Sequence, residues 1–153
     1  MQTEFTKANL SNIEAMQRLV SPEVESGIIL DRSNDEIATN IRSYTLAFMN
    51  GELVGFCALH IHAPSLGEIR SLIVKENLRG KKIGEGLVNK AIDEASSLGL
   101  QKVLVLTYKK SFFERLNFVE IPKESLPEHK IWADCIKCKH FPICNEVSLI
   151  KIL

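Results

Sequence analysis

The stretch from Glu68 to Leu100 constrains the chain more than any other. It reads as a strand, EIRSLIV, a short basic loop, KENLRGKKIG, and a helix, EGLVNKAIDEASSLGL. Leu72, Ile73 and Val74 form an apolar, partly β-branched run suited to a buried strand end, and Leu87, Val88, Ala91, Ile92, Ala95 and Leu98 recur at helical spacing. Between them stand Arg79, Gly80, Lys81, Lys82, Ile83 and Gly84. The glycines permit a tight turn, the first amides of the helix lack intrahelical acceptors, and the positive end of the helix dipole points to the same place. The loop therefore predicts an anion site of pyrophosphate size, held by backbone N–H groups and screened by Arg79, Lys81 and Lys82. A plain basic turn before a surface helix is the alternative. Two nucleotide motifs are excluded. Gly84 is followed by Glu85 rather than by Lys-Ser/Thr, and Gly80, Gly84 and Gly86 do not have G-x-G-x-x-G spacing.

A chain of 153 residues is long enough to bury a core without staples, and one domain over residues 1–153 is expected. Nineteen basic and nineteen acidic residues cancel, so the charge gives no reason to expect nucleic acid as a partner. There is no apolar run of bilayer length, and the start, MQTEFTKANL, does not read as a signal sequence. A cytoplasmic protein with no membrane association is expected.

Thr3 to Thr6 suits a short strand, and Asn9 or Ser11 caps a helix carrying Ile13, Met16, Leu19 and Val20, which Pro22 is expected to end. Ile37 and Ile41 give a second short apolar face. Thr45 to Met49 and Glu52 to His60 predict a hairpin across Asn50-Gly51, and Pro64 to Gly67 a further turn. Lys102 to Leu106 reads as a strand, with Thr107 and Tyr108 at its carboxyl end, where open α/β sheets place ligands. Ser111 to Phe118 suits a short helix closed by Asn117 in the left-handed conformation. The tail, EVSLIKIL, predicts a last strand paired with Phe118 to Ile121, leaving residues 122–145 as a long excursion. That excursion holds Cys135, Cys138, His140 and Cys144 in the pattern C-x2-C-x-H-x3-C. Three readings stand: a structural zinc, a redox-active pair, and reduced thiols packed under the loop. The last is preferred because the spacing is not a standard zinc signature. Cys57, between Phe56 and Ala58, reads as a small core filler.

IRSLIVKENLRGKKIGEGLV resembles the acetyl-coenzyme A segment of the GNAT N-acetyltransferases, R/Q-x-x-G-x-G/A, with Arg79 first, Gly84 last and Lys82 where the middle Gly is usual. SFFERLNF resembles their F-Y-x-x-x-G-F segment, with Phe113 in the Tyr place and Asn117 in the Gly place. GIILDRS, NIRSYTLAFMNGELVGFCALHI and LPEHKIWADCIKCKHFPICNE are similar to the short, single-domain, ArgA-like N-acetylglutamate synthases. The resemblance implies an α/β (α+β) GNAT fold, with a mixed central sheet of about six to seven strands and helices on both faces. It implies acetyl-CoA as cosubstrate, bound at Leu72, Ile73, Val74, Arg79, Gly80, Lys81, Lys82, Ile83, Gly84, Phe112 and Phe113. The implied reaction is acetyl transfer to the α-amino group of L-glutamate, the entry to arginine synthesis. Longer enzymes of this type add an amino-acid kinase domain, so arginine inhibition through such a domain is not expected here.

An amino acid reaches the enzyme as an ammonium and must lose a proton before it attacks a thioester. Glu68 is the candidate general base, acting through water; a surface carboxylate beside Arg70 is the competing reading. Phe113 cannot donate a proton to the leaving thiolate, so Tyr108 is the candidate acid, with Thr107 as an alternative that orients water. A backbone N–H in the Leu72 to Val74 stretch would meet the oxyanion. Glutamate brings two carboxylates, for which Arg32, Arg70 and Lys130 are the candidate cations and Arg42 a weaker one. His60 and His62 flank the hairpin end, where one of them could act as base; packing or exposure is the preferred reading. Acetylation of another small amine, or silent acetyl-CoA sensing, are the competing functions, and a homodimer is left open.

Overall fold

The computed structural model describes residues 2–122 and 146–153. Among them seven strands form one mixed sheet in the order β1-β2-β3-β4-β5-β7-β6, with helices on both faces, as expected. The strands are β1 (Thr3–Lys7), β2 (Tyr44–Met49), β3 (Glu52–Ala63), β4 (Leu66–Val74), β5 (Lys102–Thr107), β6 (Val119–Ile121) and β7 (Val147–Ile152). The helices are α1 (Ile13–Glu25), α2 (Asn34–Thr39), α3 (Ile83–Leu98) and α4 (Lys110–Glu114). Every neighbouring pair of strands is antiparallel except β4 and β5. Those two are parallel because α3 carries the chain back between them, as a parallel pair requires.

The hairpin of β2 and β3 turns at Asn50 (φ 53°) and Gly51 (φ 76°), the two left-handed residues that match the twist of paired strands. Asn9 accepts the N–H of Ser11 and caps a single 3-10 turn, Leu10–Asn12, that leads into α1. Pro22 does not end the helix: α1 runs on to Glu25, and the N–H of Ser26 closes its last turn on the Pro22 carbonyl at 3.1 Å. The proline removes one intrahelical bond near an exposed end, while Met16 and Val20, buried against Leu46, Phe56, Ala58 and Ile73, hold the helix on the sheet.

On the other face Leu87, Val88, Ala91 and Ala95 of α3 pack on Val54, Leu59, Ile69, Val103 and Val105. Burying a side chain the size of Leu87 contributes about 1.5–3 kcal/mol. Gly86 is needed for this packing, because a Cβ there would lie 2.4 Å from the Phe5 ring of β1. Gly99 (φ 88°) ends α3, and Asn117 (φ 71°) takes the left-handed position after α4. Cys57 is buried in the α3 core with its Sγ 3.7 Å from the Leu87 carbonyl, and burial pushes its thiol up to about 12. It is a core filler.

Candidate active site

The β4–β5 ladder runs only from Leu66↔Lys102 to Ile69↔Val105. Beyond it β4 stays paired with β3 as far as Gly55↔Val74, and β5 stays paired with β7 as far as Thr107↔Val147. The two halves of the sheet therefore part, and a cleft of about 700 Å³ opens between them. A bulge bends β4 at this point: Phe56 pairs with Ile73 and Ala58 with Arg70, so Ser71 and Leu72 together face Cys57. Ser71 takes φ 58°, a costly conformation for a residue with a Cβ, and it lines the cleft.

The amino-terminal end of α3 forms one wall. Gly80 (φ 83°) and Lys82 (φ 66°, ψ 14°) are both left-handed, so the lysine adopts the backbone a glycine would take. Lys82 offers no capping side chain. Ile83, Gly84 and Glu85, whose N–H groups lack intrahelical acceptors, line the cleft. A Cβ at Gly84 would meet the Phe112 ring at 3.5 Å and Val74 at 3.6 Å. Arg79 also lines the cleft, with its Nε–H donating to the Val74 carbonyl at 3.1 Å and its Nη2 to Glu23 of α1 at 2.9 Å. Lys81 stands outside the lining residues. Leu72 and Val74 are half-buried on the wall, whereas the side chains of Ile73, Ile83 and Phe113 are almost wholly buried in the two cores.

Further charged and titratable groups lie in the rest of the cleft lining and beside it. Glu68 is no surface carboxylate: it is 1% exposed, and its Oε1 lies 2.7 Å from His62 Nε2. The reading of the sequence that preferred packing or exposure for the histidines missed this contact. His62 meets the His60 ring edge-on at 4.7 Å, and His60 Nδ1 lies 3.1 Å from Arg70 Nη2. Arg32 is buried and ion-paired to Glu36 at 2.7 Å, while Gln17 donates to the Arg32 carbonyl at 2.8 Å. Tyr44 was not singled out in the sequence, yet it lies within electrostatic reach of both arginines. Burial raises its pKa, and Arg32 and Arg70 act against that rise. Thr107 accepts the N–H of Lys109 at 2.9 Å, and Tyr108, 39% exposed, lines the cleft beside it. Arg42 sits on an exposed 3-10 turn outside the cleft lining. Lys130 and the set Cys135, Cys138, His140 and Cys144 lie outside the described residues. Among the described residues no group of three or more His, Cys, Asp or Glu side chains could hold a metal, and no helix is long and apolar enough to cross a membrane.

A strand, a glycine-bearing turn and a helix set at the mouth of a splayed parallel pair define an acyl-transferase type of architecture. The profile of the Acetyltransferase (GNAT) family matches residues 11–118, and the chain belongs to that family. An uncharacterised N-acetyltransferase of Chlorobaculum tepidum is 39% identical over 146 residues, 95% of this chain and 94% of its own. An amino-acid acetyltransferase of Mycobacterium tuberculosis is 32% identical over 118 residues, 75% of this chain and 67% of its own. In fold, N-acetylglutamate synthase from Neisseria gonorrhoeae, solved with coenzyme A and N-acetyl-glutamate, superposes on all of this chain with a TM-score of 0.89 at 24% identity. This chain spans 35% of that protein.

Proposed function

We propose that the chain transfers the acetyl group of acetyl-CoA to the α-amino group of L-glutamate. One observation carries this reading: a single cleft joins the α3 amino-terminal turn to the buried Glu68 and to Arg32 and Arg70. An anion cradle, a carboxylate base and two cations thus share one continuous space. The amino-acid acetyltransferase of M. tuberculosis and the N-acetylglutamate synthase of N. gonorrhoeae support the acceptor class.

Acetyl-CoA supplies the activated acetyl group, and residues 79–84, with Leu72, Val74 and Phe112, are the ones that would hold it. The cradle fits a pyrophosphate: two left-handed residues turn the chain, and Gly84 keeps the backbone bare beside Val74 and Phe112. Arg79 is already committed to Glu23 and the Val74 carbonyl, so the backbone amides do most of the holding. On the acceptor side Arg32 is assigned the α-carboxylate, which a guanidinium grips with two parallel bonds. Glu68 takes the ammonium proton through a water, leaving the electron pair on the nitrogen. The N–H groups of the Leu72–Val74 stretch, past the end of the β4–β5 ladder, are assigned to the carbonyl oxygen as negative charge gathers there. Tyr108 is the donor for the departing thiolate, and Thr107, tied to Lys109, holds the turn that presents it.

Steady-state thiol release with glutamate, aspartate, glutamine and lysine tests the proposal. Glutamate should turn over fastest. A higher rate with glutamine or lysine would overturn the acceptor assignment, and no release with any amino acid would overturn the activity. The cradle has its own test in Gly84→Val. The first added carbon finds ordinary van der Waals room, so the fold should persist. The further methyls intrude on the space of the cosubstrate, and acetyl-CoA affinity should fall about tenfold or more, the usual scale of an overpacked contact. Calorimetry giving the parent affinity would remove this turn from the binding site.

A further inference from the structure

We propose that His62 is a positioning residue for the Glu68 base, and that its hydrogen bond sets the pH above which Glu68 is ready to accept a proton. The inference rests on the role given to Glu68 above. The Glu68 and His62 side chains are 1% and 2% exposed and lie 2.7 Å apart. A carboxylate buried so deeply loses hydration and is driven toward its neutral form unless a donor replaces the water. A carboxylate only accepts, so the bond requires the proton on His62 Nε2.

The ring is held in place for this task. His60 packs edge-on against it at 4.7 Å, and His60 Nδ1 accepts from Arg70 Nη2 at 3.1 Å. The ladder between β3 and β4 shifts register between Ile61 and Ala63, which takes His62 out of regular pairing beside Glu68. Other charged or titratable groups share the surroundings. Among those lining the cleft with Glu68 are Arg70 on β4, Asp31 and Arg32 before α2, Tyr108 and Lys109 after β5, and Glu146 before β7, and Tyr44 and Glu36 lie within electrostatic reach of the two arginines. The Glu68–His62 pair, with His60 packed against it, is treated as one coupled set, so the acidic limb of a rate profile is read as a property of the set.

The test is the pH profile of kcat/KM for glutamate at saturating acetyl-CoA in His62→Phe and His62→Gln. Phenylalanine keeps the ring and deletes the donor, and glutamine keeps an N–H. In His62→Phe the acidic limb should move up by about one pH unit or more, as expected for a buried carboxylate without its donor. The KM for acetyl-CoA should not change, and His62→Gln should return the limb toward the parent. A His62→Phe profile that superimposes on the parent would overturn the proposal, as would a glutamine variant shifted as far as the phenylalanine one. If His62→Phe does not fold, His62→Leu takes its place as the variant without a donor: a limb displaced upward supports the role, and a parent-like limb ends it. Glu68→Gln separates this inference from its foundation. An impaired Glu68→Gln beside an unshifted His62→Phe sinks only the role of His62, whereas a Glu68→Gln with parent rate and profile removes the base and the inference with it.

Discussion

Glu68→Gln is expected to lower kcat/KM for glutamate by about 10² or more, the usual scale for losing a general base. The substitution isolates the proton acceptor. Glutamine fills the same volume, and its side-chain oxygen still accepts the proton of His62 Nε2, so the buried contact with Glu68 survives in the variant. The cradle at the α3 amino-terminus is built from other residues, 79–84, so acetyl-CoA should bind as in the parent. The deficit should narrow as the pH rises, because a growing share of free glutamate then arrives with a neutral amine and needs no base. A rate profile unchanged from the parent would take Glu68 out of the chemistry. A uniform loss at every pH, with weaker acetyl-CoA binding, would mean that the substitution disturbs the bulged end of β4.

How much of this was legible in the sequence depends on whether a feature is set locally or across strands. The β2–β3 turn was readable because Asn50-Gly51 names its own backbone. The β4–α3–β5 unit was readable because the apolar period changes from strand-like to helical at one glycine-bearing loop. The left-handed Asn117 followed from the residue type, whereas the left-handed backbone at Lys82, where the family pattern usually has Gly, was not an expectation. Pro22 misled because its cost is a single bond near an exposed helix end, which the packing of Met16 and Val20 outweighs. Convergence of Glu68, Arg32, Arg70, Thr107 and Tyr108 on one cleft was legible because strand ends and their loops gather at one edge of such sheets. The contacts among these residues were not. His62 reaches Glu68 through a register shift in β3, and β4 bends at Ser71, a residue type that does not advertise a positive φ. Glu23 reaches Arg79 across 56 positions of sequence. A bulge leaves no compositional trace when no glycine occupies it, so the pairing that buries Glu68 became visible only with the strands aligned.

Arg32→Ala is expected to raise KM for glutamate by about 10–10², the loss that follows when a carboxylate gives up charge-assisted hydrogen bonds worth about 1.5–3 kcal/mol. Arg32 is buried on the segment between α1 and α2, fixed by its pair with Glu36 and by Gln17 at its carbonyl. A side chain anchored in this way spends little entropy in gripping a ligand. Its partner Glu36 is a third exposed, so water can take over its hydration when the arginine is removed and the fold should survive. Glutamine tells which carboxylate Arg32 serves, since it keeps the α-carboxylate of glutamate and lacks the γ charge. An α-carboxylate grip predicts the same factor lost on both amino acids, and a γ-carboxylate grip predicts a larger loss on glutamate. Arg32→Lys should fall between parent and alanine, because an ammonium supplies the charge without the planar fork. Acetyl-CoA affinity should hold in all these variants, as the cosubstrate is assigned to residues 79–84 and Arg32 to the acceptor. Kinetics that leave the glutamate KM unchanged in Arg32→Ala would return this arginine to a structural role, pairing α2 to the loop before it.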